Sequence, residues 1–146
     1  MAVARTKLNA TFVVGRAERM PFADHSFDFL TMGYALRHVT SLEETFREFR
    51  RVLKPGGKLL ILEVTKPSGR IGAFLFRIYF GSVYPFLTQL FTGSRAARDM
   101  MVYYWETMDT CVPPETVLDA LRAAGLAKVE RVKLLGLFSE YVAVGP

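Results

Sequence analysis

The stretch that most constrains the fold is Leu59-Leu60-Ile61-Leu62-Glu63-Val64, four aliphatic residues in a row closing on a single carboxylate. A strand with one wet face alternates polar and apolar residues, whereas an unbroken apolar run fits an interior strand covered on both faces. What precedes it supports a covered sheet. Leu42, Thr45, Phe46, Phe49, Val52 and Leu53 recur every three or four positions, with Glu43, Glu44, Arg47, Glu48 and Arg50 between them, the pattern of an amphipathic helix. Ser41 and Glu44 have the spacing of a capping box. Lys54-Pro55-Gly56-Gly57 is expected to end that helix and turn the chain into the strand, since proline cannot continue a helix and glycine tolerates positive φ. Lys66-Pro67-Ser68-Gly69 is expected to stop the strand.

Upstream, Phe27–Met32 is a second buried-strand candidate with Asp28 near its start, so strand, helix and strand follow one another as in a parallel βαβ unit. Ala2–Leu8 reads as the end of a helix and Thr11–Val14 as a short strand closed by Gly15. Downstream, Pro113-Pro114-Glu115 opens a helix through Ala124 that ends at Gly125. Lys128–Leu135 and Ser139–Val144 form a closing antiparallel pair around Gly136. The expected class is α/β, a Rossmann-like sheet with a closing antiparallel hairpin, in one domain over residues 1–146.

Composition removes several functions. A net charge of +5 is spread along the chain rather than gathered in a stripe, so nucleic acid is not an expected partner. One cysteine, Cys111, and two histidines, His25 and His38, leave no set of metal ligands and no internal disulfide. Met1–Ala10 lacks the apolar run of a secretory signal. Residues 71–91 are long and apolar enough for a membrane span, but Arg77, Gly81, Pro85 and Gln89 interrupt them, so spanning is not expected. The wider stretch 70–112 is rich in phenylalanine and tyrosine, a composition suited to an apolar cover over a lipid-like ligand or to an ordinary helical core.

Three segments in order carry a family resemblance. They are Ala17-Glu18-Arg19-Met20-Pro21-Phe22-Ala23-Asp24-His25-Ser26-Phe27-Asp28, then Gly33-Tyr34-Ala35-Leu36-Arg37-His38-Val39, then Arg51 through Lys54-Pro55-Gly56-Gly57 to Glu63-Val64-Thr65. Together they resemble the ubiquinone/menaquinone C-methyltransferases, a class I S-adenosylmethionine-dependent family. Tyr79-Phe80, Pro85, Tyr103-Tyr104-Trp105, Ala124-Gly125-Leu126 and Gly136 are similar to that family's substrate cover and closing hairpin. The sequence departs from the family pattern at Thr65, usually serine, at His38, usually asparagine, and over Glu106–Cys111.

The resemblance implies methyl transfer from S-adenosylmethionine to a ring carbon of a prenylated quinol precursor. It implies a catalytic role for Arg37, donor contacts at Arg16, Ala17 and Gly33, and acceptor contacts at Tyr34, Glu63 and Tyr104. From the residues themselves, Arg37 is either a stabiliser of developing phenolate charge or one half of a structural ion pair. Glu63 is expected to bond a nearby loop backbone or touch the acceptor. Asp28 lies at the wrong end of its strand for ligands and is expected to be structural.

The family's opening strand, glycine-rich loop and ribose-binding carboxylate have no counterpart in these 146 residues, and Met1 aligns with the helix after that second strand. Arg16 occupies a place where the family has a hydrogen-bond acceptor for adenine, and a guanidinium only donates. Donor binding by these residues alone is therefore not expected, and an open strand edge would favour a homo-oligomer or a partner subunit. Methylation of another lipid-like acceptor and a non-catalytic assembly subunit stay open beside the quinol reading. The expected compartment is the cytoplasm or the mitochondrial matrix, with peripheral contact on that side of a membrane.

Overall fold

A computed structural model describes residues 11–65, 69–109 and 111–146, leaving the side chains of 107–109 aside. The Ala2–Leu8 helix and the Lys66–Ser68 stop signal lie outside the described residues. Strand β1 spans Phe27–Gly33, helix α1 Leu42–Val52 and strand β2 Leu53–Val64. Helix α2 covers Arg70–Ile78, a π turn Tyr79–Val83, α3 Tyr84–Thr92 and α4 Arg95–Asp109. Helix α5 spans Pro114–Ala123, and strands β3 (Ala127–Leu134) and β4 (Phe138–Val144) close the chain. The sheet order is β1-β2-β4-β3, with β1 parallel to β2 and the remaining pairs antiparallel.

Helix α1 forms where its periodicity requires it. Ser41 Oγ accepts from the Glu44 amide at 3.2 Å, while Thr45, Phe46, Phe49 and Val52 turn inward. Helix α5 starts on consecutive prolines and ends at Gly125, whose φ of +82° terminates it in the left-handed region. Both helices pack on the same side of the sheet. Phe46, Phe49, Val117, Leu118 and Leu121 meet Leu59 and Ile61 of β2 and Tyr141 and Ala143 of β4 in one core.

Three expectations need correction. Thr11–Val14 is not a strand: no neighbour pairs with it, and Val14 stands 77% exposed. A β-prone sequence becomes a strand only when a ladder satisfies its backbone. At Lys54-Pro55-Gly56-Gly57 the helix has ended at Val52 and Gly56 takes φ +74° as expected, but β2 begins directly at Leu53 and absorbs those residues as an irregularity instead of following a turn. The register jumps from Phe27↔Leu53 to Phe29↔Lys58 across it. Gly57 is required there: a Cβ would lie 2.9 Å from Lys54 O and 3.1 Å from Phe27 O.

The third correction concerns β2, whose faces are covered unequally. Leu59, Ile61, Glu63 and Thr65 are buried, but Leu60, Leu62 and Val64 are only half-buried. With α1 and α5 on one side, the opposite side leaves Phe29 52% exposed. The closing hairpin forms as expected, its turn held by the Leu137 amide donating to Leu134 O, with Leu135 and Gly136 both at positive φ.

Candidate functional site

The carboxyl ends of β1 and β2 lie side by side because their parallel register sets Gly33 opposite Leu62. In α/β sheets this is the end where ligands bind. Beyond Gly33 the chain reverses at Tyr34, which takes φ +55° while its amide donates to Leu62 O at 2.8 Å. A left-handed conformation at a tyrosine costs about 1 kcal/mol and is kept only where surrounding structure fixes it. The reversal carries the chain into a single 3₁₀ turn, Leu36–His38, directly over Glu63.

Glu63 is 4% exposed and fully engaged. Oε2 accepts from the Leu36 amide at 3.2 Å, Oε1 accepts from the Val64 amide at 3.0 Å, and Arg37 Nη1 stands 3.6 Å from Oε1. The backbone role expected of Glu63 is thus observed, and so is the ion pair expected of Arg37. The arginine is not consumed by that pair, however. Its Nε is buried and has no hydrogen-bond partner among the described residues. A buried guanidinium with an idle donor is costly unless something else accepts from it.

Among the described residues Gly33 borders open space, with none of their atoms within 4 Å of where a Cβ would sit and with φ outside the left-handed region. Neither close packing nor backbone strain requires a glycine there, which leaves room for a ligand at the strand end. Tyr34, 45% exposed, meets Phe138 edge-on with ring centroids 6.4 Å apart.

Arg16 and Ala17 line a separate concavity of about 410 Å³ with Thr11, Phe12, Met20 and Phe22. A polar staple ties this segment to the 3₁₀ turn. Glu18 Oε1 accepts from the Thr40 amide at 2.8 Å and from Thr40 Oγ1 at 2.6 Å, and Arg16 Nη2 donates to the same hydroxyl at 3.0 Å. The Thr40 bonds hold the Glu18 carboxyl down at about 2. Arg51 fastens the next loop, donating to Met20 O, Phe22 O, Asp24 and Glu48. The surrounding carboxylates push its pKa further up, and it in turn lowers that of Glu48.

Sequence reasoning missed the Glu18–Thr40 staple and a second polar cluster. Ser139 Oγ sits 2.9 Å from Thr65 Oγ1 and accepts from Arg131 Nε at 2.8 Å, with Ser139 fully buried. Tyr141 neighbours this cluster, and burial pushes its phenol up. Asp28 is structural as expected, pairing with Lys54 Nζ at 2.7 Å. His25 Nδ1 lies 2.9 Å from Leu53 O. Tyr104 stands on α4, away in sequence from β1 and β2, its ring 6.4 Å from that of Tyr103. No group of three or more metal-ligating side chains occurs among the described residues.

Comparison with known proteins gives this geometry a lineage. The model of the ubiE/COQ5 methyltransferase family matches residues 2–142. The chain belongs to that family. It is 34% identical over 137 residues to the ubiquinone/menaquinone biosynthesis C-methyltransferase UbiE of Shewanella oneidensis, which covers 89% of this chain and 53% of that protein. With the UbiE of Hahella chejuensis it shares 37% identity over 120 residues, 81% of this chain and 46% of that one. The chain thus spans about half the length of the curated relatives it matches.

Among solved structures, an S-adenosylmethionine-dependent methyltransferase of Thermotoga maritima, titled a possible histamine N-methyltransferase, superposes with a TM-score of 0.65 at 21% identity. That match covers 99% of this chain and 68% of the other. A second such methyltransferase, from Aquifex aeolicus, gives 0.60 at 16% identity over 98% and 59%. The cyclase SpnF gives 0.63 at 20% over 99% and 60%. The fold is that of class I methyltransferases, and the cyclase among its neighbours shows that fold alone does not fix the reaction.

Proposed function

We propose that the chain serves in S-adenosylmethionine-dependent C-methylation of a prenylated quinol precursor in ubiquinone or menaquinone biosynthesis. The observation carrying this reading is the uncommitted Nε–H of Arg37, held beside Glu63 at the ligand end of the sheet. Family membership supplies the reaction class. The donor fits the residues present in part. The open space over Gly33 and the concavity lined by Arg16 and Ala17 suit its adenosine end, while Arg16 brings no acceptor for the adenine amino group.

When bound, the donor supplies an electrophilic sulfonium methyl. Everything else falls to the acceptor side. The ring carbon becomes nucleophilic as the neighbouring hydroxyl loses its proton, and negative charge collects on that oxygen. A guanidinium donates hydrogen bonds and accepts none, so Arg37 stabilises a phenolate without taking up the proton itself. Glu63, committed to two backbone amides, holds the guanidinium in place rather than acting as base; the hydroxyl proton leaves to water, as does the proton of the methylated ring carbon when aromaticity is restored. Tyr34 and Tyr104 offer aromatic contacts to the acceptor. A prenylated acceptor places the work at the cytoplasmic or matrix face of a membrane. Among the described residues β1 is an edge strand, and such an edge suits a second copy or a partner subunit.

The test joins this chain to the preceding part of the Shewanella oneidensis relative and measures turnover of prenylated quinols against sterol and tocopherol-type acceptors. Arg37→Leu is expected to lower kcat about 10²–10³-fold with prenylated quinols preferred. Unchanged turnover would defeat the assignment. Titration of the unjoined chain with S-adenosylmethionine is expected to show no binding. A joined protein that also fails to bind would favour the assembly-subunit reading, which the Arg16–Thr40 and Glu18–Thr40 bonds support by occupying the adenine region's polar groups.

A further inference from the structure

The 23 residues from Arg70 to Thr92 form the one run among the described residues long and apolar enough to cross a bilayer, yet few of them are buried. Their inner side is taken. Phe76 and Phe80 pack ring to ring at 4.5 Å, Phe76 meets Trp105 of α4 at 5.9 Å, and Pro85 is buried. Gly81 allows this approach, since a Cβ there would sit 3.2 Å from Trp105 Nε1.

The outer side is bare. Ile71, Leu75, Ile78, Val83, Phe86 and Leu90 are exposed by 78, 58, 43, 38, 61 and 64%. Their spacings are four, three, five, three and four residues. A purely α-helical row would break at the five-residue step from Ile78 to Val83, but that step crosses the π turn, which takes about one more residue per turn. The π turn therefore keeps α2 and α3 in register as one continuous apolar face. Phe74 and Phe91 flank it, and Tyr79 and Tyr84 add amphipathic rings.

Charge indicates what covers this face. From Arg70 to Arg98 there are four arginines, Arg70, Arg77, Arg95 and Arg98, and no acidic residue. Another protein face could satisfy the apolar row, but a run with four arginines and no carboxylate before Asp99 matches the headgroups of anionic lipid. Spanning does not fit. Arg77 interrupts the run, and α3 packs lengthwise on α4, which carries Arg95, Arg98, Asp99 and Glu106.

The geometry points to the α2–π–α3 face as an in-plane docking surface for an anionic bilayer, its apolar row in the upper acyl layer and its arginines among the headgroups. Its purpose, access to a prenylated acceptor dissolved in that layer, rests on the function proposed above; the docking itself does not. Flotation with phosphatidylcholine vesicles, with and without phosphatidylglycerol, tests it in the absence of donor and quinol, so failure of methyl transfer leaves the result readable. Binding is expected with phosphatidylglycerol and weaker by about two orders of magnitude or more without it. The double variant L75S/F86S should lose about tenfold or more in partitioning with unchanged circular dichroism, because both side chains are exposed. Removing one arginine should cost about fivefold. No flotation on anionic vesicles, or flotation indifferent to L75S/F86S, would overturn the proposal. So would a dimer that L75S/F86S abolishes without any vesicle binding, or strong quenching of Trp105 by lipids brominated near the bilayer centre, which would mean spanning.

Discussion

Replacing Glu63 by alanine tests whether the site is held together by one buried carboxylate. In the wild type that group satisfies the amides of Leu36 and Val64 at 3.2 and 3.0 Å and faces Arg37, whose side chain is 12% exposed. Glu63→Ala strands all three donors at once. Removing one partner of a buried charge pair costs about 3–5 kcal/mol, because the other charge is left uncompensated. With a urea m-value of about 2 kcal/mol/M for a domain of this size, the unfolding midpoint should fall by roughly 1.5–2.5 M. Glu63→Gln keeps one oxygen and loses the charge, so it should cost about half as much. The discriminating measurement is a double-mutant cycle with Arg37→Leu and Glu63→Leu. If the stability loss comes from a stranded guanidinium, the double variant should be at least about 1 kcal/mol more stable than additivity predicts. Additive losses, or a Glu63→Ala cost under about 1 kcal/mol, would refute the coupling and leave Arg37 without the support its proposed role requires.

Other expectations follow from neighbouring features. Gly33→Ala should leave stability within about 0.5 kcal/mol, since no described residue stands near the new methyl, while weakening donor binding in the joined protein; Gly57→Ala should destabilise by over about 1 kcal/mol through its clash with Lys54 O. Calorimetry and donor titration separate the two. The low Glu18 pKa gives a pH signature: its stabilisation is fully present above the unfolded value of about 4.5 and is lost as pH falls toward about 2. Acid titration of Glu18→Gln should show that part of the pH dependence missing. Ser139→Ala should cost about 1–3 kcal/mol in urea unfolding, because Thr65 Oγ1 and Arg131 Nε lose their shared partner.

Helix α1 and strands β1 and β2 were legible because each has a local cause: a cap and a 3.6-residue period for the helix, largely apolar runs for the strands. Thr11–Val14 misled because β-propensity describes a residue's fitness for a ladder, and no ladder reaches it. Lys54–Gly57 ended the helix as read and misled only about where β2 begins. Turn-forming residues sit equally well in an irregular strand entry, and only the close approach of Gly57 to the β1 backbone distinguishes the two. The two-sided burial inferred for β2 depended on a second layer of helices, which a single strand's sequence cannot place.

The site was half legible, and the missing half has one cause. Arg37 and Glu63 each stood out alone, but their meeting depends on the parallel register and on a chain reversal at Tyr34. Glycine adopts a left-handed conformation most freely, yet the structure has it at Tyr34 and not at the adjoining Gly33. That displacement by one residue leaves Gly33 extended with open space beside it, and it swings the Leu36 amide onto Glu63. The strain at Tyr34 and the open side of Gly33 are therefore one arrangement: the bulky residue takes the unfavourable backbone, and the small one keeps the extended conformation at the carboxyl end of β1.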